Sequence, residues 1–87
     1  MNTTQDKNFE PSFSMLVMSL ASSALVALGL AEDPATGKKN KDLQMARFNV
    51  DLLVMLEEKT KNNLLKDEQN FLTQIIQDLQ MKFIQNK

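Results

Sequence analysis

The feature that most constrains this chain is an uncharged run of twenty residues from Ser12 to Ala31, SFSMLVMSLASSALVALGLA. Fourteen of its residues are apolar, five are serine and one is glycine. Such a run suits a membrane-spanning helix, a secretory signal or the buried centre of a helical assembly, because each of these removes the whole circumference of the helix from water. The rest of the sequence must decide among the three.

The composition narrows the classes of function. The 87 residues suffice for one small domain, and they include no cysteine and no histidine. Thiolate and imidazole chemistry is therefore absent. Ten Lys and Arg against eleven Asp and Glu give a net charge of −1, which provides no basic field for nucleic acid. We predict no catalytic residue, no metal site, no cofactor and no nucleic-acid partner, and we do not expect an enzyme.

Hydrophobic periodicity predicts an all-α chain of three helices, because no alternation typical of β-strands extends beyond a few residues. The polar residues 1–11 are expected to form a flexible tail, and residues 12–87 a single helical domain. The helices are predicted at about residues 12–28, 41–60 and 66–85.

Residues that start and stop helices support these bounds. Ser12 or Ser14 can cap the first helix, and Gly29 suits the left-handed conformation that ends it. Asn40 or Asp42 can cap the second helix.

The three helices differ in how much of their circumference is apolar. The third has a single stripe, formed by Phe71, Leu72, Ile75, Ile76, Leu79 and Phe83. The second has two apolar rows on nearly opposite sides: Leu43, Ala46, Val50 and Leu53, and then Met45, Phe48, Leu52 and Leu56. The first has a strong core face and an uncharged reverse side; the core face consists of Phe13, Leu16, Val17, Leu20, Ala24 and Leu28. A single three-helix bundle cannot cover both faces of both helices, so several hundred Å² of apolar surface is expected to remain open.

A second copy of the chain can cover this surface if helices 1 and 2 pair with their symmetry mates. We therefore predict a homodimeric helical bundle, a homo-oligomeric interaction or structural module without catalytic activity. The small residues Ser19, Ser23 and Ala27 recur every fourth position and would let a partner helix approach closely. The candidate interface consists of Met15, Met18, Ser19, Ser22, Leu25, Val26, Met45, Phe48, Leu52 and Leu56.

The alternative is a membrane-anchored protein with Ser12–Ala31 as a transmembrane helix. The run just reaches the length of about twenty residues that spanning requires, but its serines, the lack of a basic N-terminal flank and the absence of Trp and Tyr argue against it. A secretory signal would need a basic start. We expect a cytoplasmic protein. An unidentified protein partner is also open, because the internal methionines can line a pliable groove for a partner helix.

Three segments in order resemble one known family: Ser19–Val26, the loop Asp33–Lys38, and Asp51–Leu53 leading to Glu58–Lys61. The family consists of small bacterial proteins and is described as a domain of unknown function, number 1844. The resemblance covers about residues 12–83 and implies a small helical protein without an assigned activity or site residues.

One position departs from the family's pattern. Members tend to have Thr or Ser where this chain has Leu65, and leucine cannot cap the third helix. Asn63 is the residue expected to replace that cap from upstream.

Overall fold

The computed structural model describes residues 11–87, and this part of the chain contains three α-helices and no β-strand. Helix α1 spans Phe13–Ala27, α2 spans Leu43–Lys59 and α3 spans Lys66–Asn86. The predicted all-α class is confirmed, and the predicted bounds differ from the observed ones by at most two residues. The expected tail lies, apart from Pro11, outside the described residues.

Helix α1 is closed at both ends by the residues that the sequence indicated. The hydroxyl oxygen of Ser12 accepts a hydrogen bond at 3.0 Å from the backbone N–H three residues on. Gly29 has a φ of +78°. Its N–H donates to the Val26 carbonyl, and the N–H of Leu30 donates to the Leu25 carbonyl, each at 3.0 Å. This pair of bonds is a Schellman motif, which satisfies carbonyls that the end of the helix would otherwise leave open.

The loop after α1 folds back so that α2 begins beside the end of α1. The Asp33 carboxylate accepts the Ala35 N–H at 2.8 Å and forms a local turn. Asp42 caps α2 by accepting the Met45 N–H at 3.1 Å. The backbone N–H of Asp42 donates to the Ala27 carbonyl at 2.7 Å, which joins the two helix ends directly.

Helix α3 starts at Lys66, as predicted, and Leu65 provides no side-chain cap, but the expectation that Asn63 replaces this cap is wrong. Asn63 does not reach the helix; its side-chain amide donates to the Lys61 carbonyl at 3.3 Å. Instead, the Glu68 carboxylate reaches back and accepts the Leu65 N–H at 3.0 Å. This is one of the two hydrogen bonds of a capping box. The second is missing because the leucine side chain has no polar atom to accept the backbone N–H of Glu68. Asn62 makes the preceding bend with a φ of +70°.

All three helices contribute to a continuous core. The larger cluster contains Val17, Ala21, Ala24, Val50, Leu53, Leu72, Ile76 and Leu79. A second cluster joins the end of α1 to the start of α2 through Ala27, Leu28 and Ala46, and Phe83 near the end of α3 packs against it. In this arrangement α1 and α2 are antiparallel, and α3 runs parallel to α1.

Most of the predicted core faces are confirmed. The α3 stripe is buried at Leu72, Ile76 and Leu79, and the first α2 row is buried at Ala46, Val50 and Leu53. Leu16 is an error, because its side chain is 47% exposed. It lies at the edge of the α1 core stripe, one turn before Leu20, which is itself only half-buried, whereas Val17 next to it is fully buried.

The predicted stripe of small residues does not stay on one side of α1. Ser19 and Ser23 are exposed, but Ala27 is buried against Leu28 and Ala46 of its own chain. The reason is geometric: a step of four residues overshoots a full helical turn by roughly 40°. Over two such steps the stripe rotates from the outer side into the core. Ala27 is therefore unavailable to a partner helix.

The length of α1 bears on the transmembrane alternative. A helix of 15 residues measures about 22 Å, and the hydrocarbon core of a bilayer is about 30 Å thick. In the described part of the chain, no helix is both long and apolar enough to cross a membrane.

Candidate interaction face

The reverse sides of α1 and α2 meet at a groove on the surface of the molecule. Three of the predicted interface residues, Ser22, Val26 and Met45, line this groove together. Its full lining is Ser22, Ser23, Val26, Ala27, Asp33, Pro34, Asn40, Asp42, Met45 and Asn49. The fold therefore brings the outer side of α1 and the second row of α2 to one continuous surface.

The ten predicted interface residues divide into two groups by exposure. The exposed group contains Met15, Met18, Ser19, Ser22, Met45 and Phe48. The half-buried group contains Leu25, Val26, Leu52 and Leu56. Leu25 and Leu56 pack against the core cluster of their own chain, so they support the surface from beneath rather than form its top. We call the six exposed residues together with Val26 and Leu52 the outer face.

Two exposed apolar residues of these helices are absent from the predicted interface, although Met55 is one of the internal methionines that can line a partner groove. Met55 is 43% exposed and lies seven residues after Phe48, which places it on the same side of α2. The seven-residue spacing was a signal that could have identified it. Leu16 is the other, because it was assigned to the core.

The floor of the groove is formed by small side chains and one buried amide. Ser22, Ser23 and Ala27 are too short to fill the space between the helices. Asn49 is only 6% exposed, and its side-chain amide donates to the Met45 carbonyl at 3.0 Å within α2. This bond satisfies one of the two N–H groups of the amide within the helix itself.

The outer face carries no charged side chain; on α2, Arg47 and Asp51 lie beside it, and Lys59, seven residues after Leu52, continues its row at the C-terminal end of the helix. Arg47 and Asp51 are exposed and form a long ion pair at 3.8 Å. An exposed pair of this kind adds at most about 1 kcal/mol to stability. Helix α1 contains no charged residue at all. A molecule covering the centre of the outer face would therefore meet charged side chains only at its edges, at Asp33 and Asp42 beside the groove and at Lys59.

A cluster of polar side chains joins α2 to α3, away from the groove between α1 and α2. The hydroxyl of Thr73 donates to the Glu57 carboxylate at 2.8 Å, and the Gln69 amide donates to the same oxygen at 3.3 Å. All three side chains are partly buried. Because both donors lie on α3 and the carboxylate lies on α2, these hydrogen bonds hold the two helices together. Among residues 11–87, no group of three His, Cys, Asp or Glu side chains is arranged to hold a metal ion.

Comparison with known proteins identifies the family. A family described as a domain of unknown function (DUF1844) matches residues 10–85, which is most of the chain. The chain belongs to this family. No curated protein and no solved structure matches it.

Proposed function

We propose that this DUF1844 member is a homo-oligomeric interaction or structural module, a homodimer that pairs through α1 and α2 and has no catalytic activity of its own. The observation that carries the proposal is the exposed apolar surface of the outer face. Met15, Met18, Met45 and Phe48 have exposed fractions of 47%, 45%, 49% and 56%. Residues of this size and hydrophobicity are normally covered in a monomeric protein when they occur together.

The area of this surface matches what a dimer needs. A large side chain presents roughly 200 Å² when fully accessible, so four half-exposed residues with Met55 and their half-buried neighbours leave on the order of 500 Å² of apolar surface open. A standard protein interface buries about 800 Å² on each partner, of which roughly 60% is apolar. The two values agree, so a dimer would cover the apolar surface of the outer face, while Leu65, Met81 and Ile84 lie outside it and stay exposed.

The absence of charge on the outer face favours a second copy as the occupant. In a twofold dimer the same patch of both chains is in contact, so any charged side chain near the axis would lie next to the identical charge of the other chain. The centre of the outer face avoids this penalty because α1 carries no charged residue, the Arg47–Asp51 pair lies to the side, and Lys59 stands at the far end of α2. A hydrophobic, self-complementary patch is what a permanent homodimer requires.

The experiment that tests the proposal compares two substitutions of the same chemistry on different helices. Met18→Lys places a cation in the middle of the outer face. Met81→Lys places the same cation on α3, where Met81 is 60% exposed, and is the matched control. Multi-angle light scattering at micromolar concentration gives the mass, and circular dichroism verifies that both variants keep their helices.

We expect the unsubstituted chain and Met81→Lys to have twice the chain mass of 9.9 kDa, and Met18→Lys to have the mass of one chain. Burying an unpaired ammonium group in the interface costs several kcal/mol, enough to dissociate a micromolar dimer. A monodisperse monomer for the unsubstituted chain would refute the proposal. An unchanged dimer for Met18→Lys would refute the assignment of the outer face.

A further inference from the structure

The groove between α1 and α2 lies directly beside the most exposed aromatic ring of the outer face. We infer that in the homodimer the Phe48 ring of each chain fills the groove of the other chain, in a reciprocal exchange of two rings. This inference rests on the proposed dimer and specifies how its two copies recognise each other. Phe48 is the residue that inserts, and Ser22, Val26 and Met45 of the other chain line the groove that receives it.

The groove has the size and lining to accept a phenyl ring. Its volume is about 530 Å³, and a cavity of roughly 150 Å³ lined by apolar side chains holds a benzene molecule. Val26 and Met45 provide apolar walls, and the short side chains of Ser22, Ser23 and Ala27 leave the floor open. The flexible thioether of Met45 can adapt to an aromatic ring and contacts such rings favourably.

Three of the polar side chains that line the groove, those of Asp33, Asp42 and Asn49, are already engaged within the chain. The Asp33 carboxylate accepts the Ala35 N–H at 2.8 Å, and the Asp42 carboxylate accepts the Met45 N–H at 3.1 Å. The amide of Asn49 donates within α2. Since these bonds persist when the groove is filled, an apolar occupant does not leave them broken.

The position of Phe48 suits reciprocal insertion. Phe48 lies three residues after Met45, which lines the groove, so the ring and one wall of the groove share a side of α2. A twofold axis that passes between the ring and the groove places each ring in the groove of the other chain. Both contacts are then satisfied within a dimer, and no further chain can add to it. At 56% exposure, Phe48 is also the most exposed of the large apolar side chains on the outer face. Buried aromatic residues of this kind dominate the binding energy of interfaces.

Two substitutions test the inference from both sides of the contact. Phe48→Ala removes the ring, and Ser22→Phe fills the groove from within. The matched control for the first is Ile84→Ala, which truncates a side chain on α3 that is 67% exposed. Dimer dissociation constants are measured by sedimentation or by dilution of fluorescently labelled chains, with circular dichroism to verify the helices.

We expect Phe48→Ala to weaken the dimer by about 30-fold or more, the loss typical of a central aromatic residue, and Ile84→Ala to change it by less than about threefold. Ser22→Phe is expected to weaken the dimer about tenfold, although it adds apolar surface. In the double variant, removing Phe48 should matter little once the groove is filled, because the two substitutions disrupt the same contact.

The outcomes separate this inference from the proposed function. If the unsubstituted chain is a dimer and Phe48→Ala behaves like Ile84→Ala, the reciprocal insertion is wrong and the dimer stands. If Ser22→Phe tightens the dimer, the outer face is a general adhesive surface, and the inference is again wrong. A monomeric unsubstituted chain would overturn both.

Discussion

The core assignment makes its strongest prediction at Leu53, the leucine of α2 that packs between α1 and α3. Its side chain is 0% exposed and belongs to the larger core cluster. Leu53→Ala removes buried methyl and methylene groups and leaves a cavity, because the three helices are tied together at their ends and cannot fully close the gap. The matched control is Leu65→Ala, the same change at a leucine that is 72% exposed.

The expected magnitude follows from burial. A fully buried leucine replaced by alanine costs about 2–5 kcal/mol, and the fully covered position of Leu53 places it near the middle of that range, at about 3 kcal/mol. A domain of this size has a free energy of unfolding of about 4–12 kcal/mol. The substitution therefore removes a quarter or more of the total stability. Leu65→Ala is expected to cost less than about 0.5 kcal/mol, since the side chain is mostly in water.

Urea titration followed by circular dichroism measures the difference. With a slope of about 1 kcal/mol per M for a small domain, the midpoint of Leu53→Ala should fall by about 3 M, and that of Leu65→Ala by less than about 0.5 M. All three proteins are compared at one protein concentration, because the stability of a dimer depends on concentration. Equal midpoints for Leu53→Ala and Leu65→Ala would show that the packing of α2 against α1 and α3 is not as described.

Two further predictions concern local features. Gly29→Ala and Gly37→Ala should each lower the free energy of unfolding by about 1 kcal/mol, a fall of roughly 4–8 °C in Tm, because both glycines have positive φ, of +78° and +71°. The added Cβ meets no atom closer than 3.5 Å at either site, so the expected cost comes from the backbone conformation alone. Scanning calorimetry in which neither variant melts at a lower temperature would contradict this prediction. Thr73→Val should cost about 1 kcal/mol by removing the donor to Glu57 at 2.8 Å, and Thr73→Ser should restore most of it in the same melting experiment.

The features that the sequence predicted well are those decided within one or two turns of the chain. The cap at Asp42, the end of α1 at Gly29 and the buried row through Leu53 all depend on residues close in sequence. The half-exposed second row of α2, with Phe48 at its centre, was predicted for the same reason. A row of side chains at helical spacing can be assigned to a side of the helix before the neighbours of that helix are known.

The errors came from positions where a neighbouring helix makes the decision. Leu16 is apolar and at the right spacing, yet no other helix covers it. Ala27 was expected to face a partner, but the bond from Asp42 draws α2 over it. The missed cap of α3 was instead a local error, because Glu68 accepts the N–H of Leu65 only three residues before it.

The sequence by itself determined that this chain has three helices, where they begin and end, and that two of them carry more apolar surface than one bundle can cover. These properties follow from helical periodicity and from the short-range chemistry of caps and turns. Only the tertiary structure decided that the outer sides of α1 and α2 meet at one groove with Phe48 beside it. That arrangement depends on how the helices approach one another, which is a balance of packing among residues far apart in the chain.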